Sequence, residues 1–139
     1  MKSTFIDTSF FLALASPSDA LHGRAIMWRY SLPGRFVTSE FVLLEVADGL
    51  SGQKSHRVAL GIIDSIRKSA STEIVLAQPL WIERGYALFR QCRDKDWGLT
   101  DCISFEIMRD LGITDALTHD HHFEQAGFRA LLRSDPPNN

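Results

Sequence analysis

Two aspartates stand where an ionised side chain is expensive to place. Asp7 closes the β-prone run that begins at Ser3, and Asp120 stands just beyond the apolar run Ala116 to Thr118. A carboxylate at the end of a buried strand loses hydration, and two on neighbouring strands repel by several kcal/mol at an effective dielectric of about 20. A cation between them offsets both costs. Hard oxygen donors suit Mg²⁺ or Mn²⁺, which keep several waters and take only a few protein carboxylates. The chemistry on offer is divalent-cation binding.

Two more acids fit the same site. Glu45 has Phe41, Val42, Asp48 and Gly49 at helical spacing and so rides at the edge of an apolar face, whereas Glu40 falls in the exposed first turn of the same helix. Asp101 opens a helix and shares a face with Ser104, Phe105 and Met108. Each acid also has a plain structural role open to it: Asp7 as a turn residue, Glu45 as a solvated helix residue, and Asp101 and Asp120 as helix caps.

The elements that must position these acids alternate between strand and helix. Strand-like runs cover Ser3 to Asp7, Arg35 to Thr38, Glu73 to Ala77, Ala116 to Thr118 and Phe128 to Leu132. Helical spacing covers Ser9 to Ala15, Ser18 to Tyr30, Ser39 to Leu50, Ser55 to Ser69, Pro79 to Cys92 and Leu99 to Leu111, with one or two turns between His119 and Ala126. Pro79 opens its helix where a missing N–H is harmless, and Gly112 closes another where a left-handed cap is wanted. Strands joined through helices imply a mostly parallel sheet covered on both faces, and such sheets bind ligands beyond the carboxyl ends of their strands. Asp7 and Asp120 lie there.

Bulk properties set the frame. With 139 residues, 45% hydrophobic and 23% charged, the chain reads as one globular domain over residues 1–133, followed by a polar tail over 134–139. A formal charge of −2 neither proposes nor excludes a nucleic-acid partner. Cys92 and Cys102 match no zinc spacing and no disulfide framework, which favours a reducing cytoplasm. No run approaches the ~20 apolar residues that span a bilayer, so no membrane partner is expected.

Taken in order, four segments resemble a known family: Phe5 to Ser9 (FIDTS), Glu45 in a helix after the second strand, Gly98 to Phe105 (GLTDCISF) and Ala116 to Phe128 (ALTHDHHFEQAGF). The chain resembles the PIN domain, and more narrowly the VapC-type toxins of prokaryotic toxin–antitoxin pairs. The resemblance spans nearly the whole chain, including the helix start Ser18 to His22. It implies a three-layer α/β/α sandwich with a five-stranded parallel sheet, and Mg²⁺- or Mn²⁺-dependent ribonuclease activity. The four acids fall on Asp7, Glu45, Asp101 and Asp120, and the hydroxyl that supports the first acid falls on Ser9. His121 replaces a frequently basic position, and Cys102 a usually small one.

What the family implies of mechanism follows from phosphodiester chemistry. Hydroxide must be made at neutral pH and charge on the phosphate neutralised, and a bound dication does both. On this reading Asp7 and Asp101 are the direct ligands, while Glu45 and Asp120 hold metal-bound waters or a second ion. RNA also needs cations along its backbone, for which Arg93, Lys95, His119, His121 and His122 are candidates. A zinc site is not expected at these histidines, because adjacent residues in a turn seldom converge on one ion. The resemblance further implies a homodimer and an inhibitory antitoxin, with Leu12, Leu21 or Trp28 as candidate contacts and core packing as their alternative role.

Rival readings fare worse. An aspartyl-nucleophile phosphotransferase wants a second acid two residues after the first, where Ser9 stands. A phosphate-acceptor domain wants a late lysine, but the last one is Lys95, and no phosphate-binding G-x-x-x-x-G-K-[ST] loop exists. A PIN-like binding module without catalysis stays open as the alternative, against which four intact acids argue.

Overall fold

The computed structural model describes residues 2–137, so the last two residues of the polar tail lie outside the described part. Five strands, β1 (Ser3–Ile6), β2 (Arg35–Ser39), β3 (Thr72–Val75), β4 (Asp115–Leu117) and β5 (Arg129–Ala130), form one sheet in the order β3-β2-β1-β4-β5. Every pairing is parallel. The chain winds outward from β1 to β3, then crosses back to lay β4 against the other side of β1. Right-handed crossovers in opposite directions place their helices on opposite faces. Accordingly α1 (Thr8–Ala15), α2 (His22–Ser31), α3 (Glu40–Gly49) and α4 (His56–Lys68) pack with one another, while α5 (Pro79–Gln91), α6 (Leu99–Leu111) and α7 (His121–Gln125) form a second group. This is the three-layer α/β/α sandwich expected.

The buried core runs through the sheet into both helical layers, with Phe5, Val42, Val46, Phe105, Ile107, Met108, Leu117 and Phe123 fully or almost fully enclosed. Ser39 caps α3 by accepting a hydrogen bond from the Val42 amide at 3.1 Å, and Gly112 ends α6 at φ 67°. The sequence periodicity places most elements within a residue or two. Two differ more. The helix expected from Ser18 begins only at His22, because Asp19 holds the Leu21 amide in a turn at 2.8 Å. The last strand is two residues long and gives way to a 3₁₀ turn, Leu131–Arg133.

Trp28 is core, not an exposed contact: it is 4% exposed, and its indole N–H donates to the Ser134 carbonyl at 2.8 Å. Leu12 and Leu21 are half-buried. Arg24 pairs with Asp135 at 2.8 Å, so the start of the polar tail is tied to α2. No helix among the described residues is long and apolar enough to cross a membrane.

The tightest helix contact is α5 on α6. A Cβ at Gly85 would overlap Cγ1 of Ile103 and lie 3.1 Å from the Ile103 backbone, which cannot move without displacing the first turns of α6. We expect Gly85→Ala to destabilise the protein by about 2 kcal/mol through overpacking. Gly61→Ala, in open space on α4, should instead stabilise by up to about 1 kcal/mol through helix propensity. Urea midpoints for the two variants check the contrast.

Candidate metal centre

The site begins where β1 ends. Asp7 follows Ile6 directly, and its amide continues the sheet by donating to the Leu117 carbonyl at 3.2 Å, so backbone pairing with β4 fixes its position. Its carboxylate is 6% exposed. Oδ2 accepts from the Thr118 hydroxyl at 2.8 Å and the Ser9 hydroxyl at 3.3 Å. Thr118, fully buried, also accepts from the Asp120 amide at 3.0 Å, while Ser9 accepts from the His119 amide at 3.2 Å. Two hydroxyls thereby lock the loop after β4 to the carboxylate after β1.

The other three acids come from three different elements. Glu45, on α3, is exposed, and its Oε1 accepts from the Thr8 hydroxyl at 2.7 Å. Asp101, in the first turn of α6, accepts from the Gly98 amide through Oδ2 at 3.1 Å. Asp120 caps α7, its Oδ1 accepting from the His122 amide at 2.9 Å. The capping roles of Asp101 and Asp120 are real, yet each consumes one oxygen. Among the described residues, Oε2 of Glu45, Oδ1 of Asp101 and Oδ2 of Asp120 carry no hydrogen bond.

Glu40 goes elsewhere, and for a reason the sequence did not supply. It is half-buried, not exposed, because its Oε1 accepts from the Ala77 amide at 2.7 Å and ties α3 to the segment after β3. Glu45, one turn on, is the α3 acid that joins the others.

Electrostatics show that the four acids share one field. Burial raises Asp7 from its ordinary 3.8 to about 7, against the lowering effect of the Thr118 and Thr8 hydrogen bonds, with repulsion from Asp101 and Glu45 adding to the rise. Glu45 is raised by desolvation and then by Asp101, Asp120 and Asp48; Asp101 is raised by desolvation and by Asp120, opposed by the Gly98 amide and His122. Carboxylates raised by burial and by one another are a donor set short of positive charge. Hard oxygen donors with free lone pairs fit a divalent ion of the Mg²⁺ or Mn²⁺ kind.

An aromatic stack aims two of these acids. Trp97, Phe105 and Phe123 pack edge to face at 5.0 and 4.9 Å, and the Trp97 indole donates to Gln125 at 2.9 Å. Phe105 lies one turn beyond Asp101, and Phe123 follows His122, so the start of α6 and the start of α7 are fastened to each other. His122, a candidate backbone contact for RNA, is largely buried, with Nδ1 3.1 Å from Asp120 Oδ1 and 3.6 Å from Asp101 Oδ2. His119, His121, Arg93 and Lys95 are exposed. Sequence reasoning passed over Thr8 and Thr118; the available signal was a hydroxyl beside, or two residues before, each strand-end acid.

Comparison with known proteins places this arrangement. The family model described as PIN domain matches residues 4–129. The 23S rRNA-specific endonuclease VapC20 of Mycobacterium tuberculosis, in two strains, is 32% identical over 124 residues, covering 89% of this chain and 94% of the relative. The crystal structure of the same organism's VapC20, described as a sarcin-ricin-loop-cleaving toxin, superposes with a TM-score of 0.84 at 31% identity over 91% of this chain and 96% of that one. FitAcB from Neisseria gonorrhoeae shares the fold with a TM-score of 0.65 at 18% identity, covering 91% and 94%.

Asp7 gives the apo protein a defined pH signature. Its folded pKa lies above its unfolded value, so the stability it contributes is full below about pH 4 and is lost as pH rises through about 7. In chelator the urea midpoint should therefore fall between pH 4.5 and 8, with Glu45 and Asp101 acting in the same sense. Asp7→Asn should flatten the slope and be more stable than wild type at pH 8. A wild-type midpoint that holds steady over this range contradicts the electrostatic account.

Proposed function

Because this chain belongs to the PIN-domain family and, within it, to the VapC-type ribonuclease toxins, we propose that its four-carboxylate cup hydrolyses RNA phosphodiester bonds with a bound Mg²⁺ or Mn²⁺. The observation that carries this reading is the convergence of Asp7, Glu45, Asp101 and Asp120 at one end of the sheet, where Asp101 and Glu45 raise Asp7, Asp101 and Asp120 raise Glu45, and Asp120 raises Asp101. A bound dication lowers the pKa of a water it holds and neutralises charge developing on the phosphate.

The residues divide the work by burial. Asp7, buried and oriented by Thr118 and Ser9, and Asp101, held by the Gly98 amide, would hold the ion directly. Glu45 and Asp120 would present Oε2 and Oδ2 to site water, with Glu45, raised by desolvation and then by its acidic neighbours, accepting the proton of the attacking water. Arg93 and Lys95, exposed in the turn before α6, would meet phosphates flanking the cleaved bond, Lys95 leaving its weak surface pair with Asp94.

The likeness to VapC20 supports ribosomal RNA as the substrate class to test first. It also supports a toxin role, with a cognate antitoxin covering the acidic groove and a homodimer as the active form; light scattering of the chain, alone and with its neighbouring gene product, reads both.

Cleavage of large-subunit RNA should require Mn²⁺ or Mg²⁺ and stop in chelator. Asp7→Asn and Asp101→Asn should each lower the rate by at least ~10²-fold, the scale of losing a group that stabilises transition-state charge. Mapping 5′ ends after incubation with intact ribosomes reads the result. Cleavage that survives chelator or either substitution sinks the proposal, and folded protein with no cleavage under any condition favours a binding module.

A further inference from the structure

The turn after β4 brings together three metal-ligating side chains that the carboxylate reading leaves unused or only half used. Asp120, His121 and His122 each offer one donor atom, all three lying within 4.8 Å of one another. His122 Nδ1 is 3.1 Å and His121 Nδ1 is 3.9 Å from Asp120 Oδ1. Donors about 2.1 Å from one tetrahedral ion stand about 3.4 Å apart, so this spacing already lies near that of a ligand set. Adjacent residues converge here because Asp120 caps α7 from outside it, and the imidazoles at its first two positions lie side by side, centroids 4.4 Å apart at 49°.

A second observation concerns the bonding of the same nitrogen. The Nδ1 of His122 is buried and makes no hydrogen bond among the described residues, although its ring is only 19% exposed. Buried polar atoms in folded proteins are nearly always paired, so an orphan of this kind points to a partner of another sort. With its proton on Nε2, His122 would turn a lone pair at Nδ1 toward Asp120 Oδ1 at 3.1 Å and Asp101 Oδ2 at 3.6 Å, an arrangement that repels unless a cation lies between them.

We propose that Asp120, His121 and His122 form a site for a borderline transition-metal dication of the Zn²⁺ class, at the rim of the carboxylate cup. Imidazole nitrogen is a poor match for Mg²⁺ and a good one for Zn²⁺ or Co²⁺, so the two ends of the acidic groove differ in the ions they prefer. Asp101, whose Oδ2 lies 3.6 Å from His122 Nδ1, would be the fourth donor. If the cup is the nuclease centre, Zn²⁺ on the histidines draws Asp120 and Asp101 away from it and inhibits cleavage; that consequence rests on the nuclease reading, whereas the binding does not.

The binding is tested on the full chain, stripped of metal, by calorimetric titration with Zn²⁺ and by visible absorption with Co²⁺. A first equivalent should bind in a tighter step than any filling of the carboxylate cup, with Co²⁺ showing the intense bands of a four-coordinate nitrogen-containing site. His121→Gln, at an exposed position, and His122→Gln should each weaken Zn²⁺ binding at least tenfold, while the rise in melting temperature that Mn²⁺ in the carboxylate cup is expected to cause persists in His121→Gln. Zn²⁺ affinity unchanged in both variants, or Zn²⁺ binding abolished by Asp7→Asn but not by the histidine changes, overturns the proposal. Neither result bears on chelator-sensitive RNA cleavage, so the two readings fail separately.

Discussion

The structure depends on one electrostatic constraint: a carboxylate, Asp7, is held almost fully buried at the end of the central strand, where it feels the charge of two other acids, Asp101 and Glu45. Desolvation and repulsion both work against this arrangement. The protein counters with two hydroxyls on a single oxygen, which orient the carboxylate but do not neutralise it. A group that is oriented without being satisfied is suited to receiving a cation, and the conflict remains in the folded chain until one arrives.

Topology makes that conflict possible. Because β4 returns to pair with β1, the residues after the two strands become neighbours, and Thr118 can reach Asp7 across more than a hundred positions of sequence. The crossover feeding β4 also brings the start of α6, with Asp101, to the same edge. Edge-to-face packing of Trp97, Phe105 and Phe123 then couples α6 to α7, so that core packing sets the relative placement of two acids that never touch the same strand.

The helix caps show how one side chain can serve structure and site together. Asp101 and Asp120 each give one oxygen to a backbone amide at a helix start and keep the other free. A cap fixes the rotamer of its carboxylate, which is what a metal ligand needs before the metal binds. The same economy operates at Glu45, steadied by Thr8, a residue adjacent to the very acid that Glu45 repels.

How much of this was legible in the sequence depends on whether the signal is local. Strand and helix periodicity, the Ser39 and Gly112 caps, and the strand-end positions of Asp7 and Asp120 are local properties, and they suffice for a parallel sheet with acids at its carboxyl edge. The choice of Glu45 over Glu40 rested on a burial contrast that the structure reverses, Glu45 being exposed and Glu40 half-buried; what separates them is that Glu40 is occupied by an amide after β3 that no periodicity reveals. Trp28 was ambiguous for the same cause: its burial depends on the segment from Ser134. Among the histidines, His119 and His121 are exposed, while His122 is largely buried because the Asp120 cap turns its ring toward the acids. By itself the sequence determined the elements, their order and the residue types available for cation chemistry. Only the tertiary structure decided which oxygens are already spent on protein donors and which nitrogen is buried without one, since burial and pairing are set by contacts between segments remote in sequence.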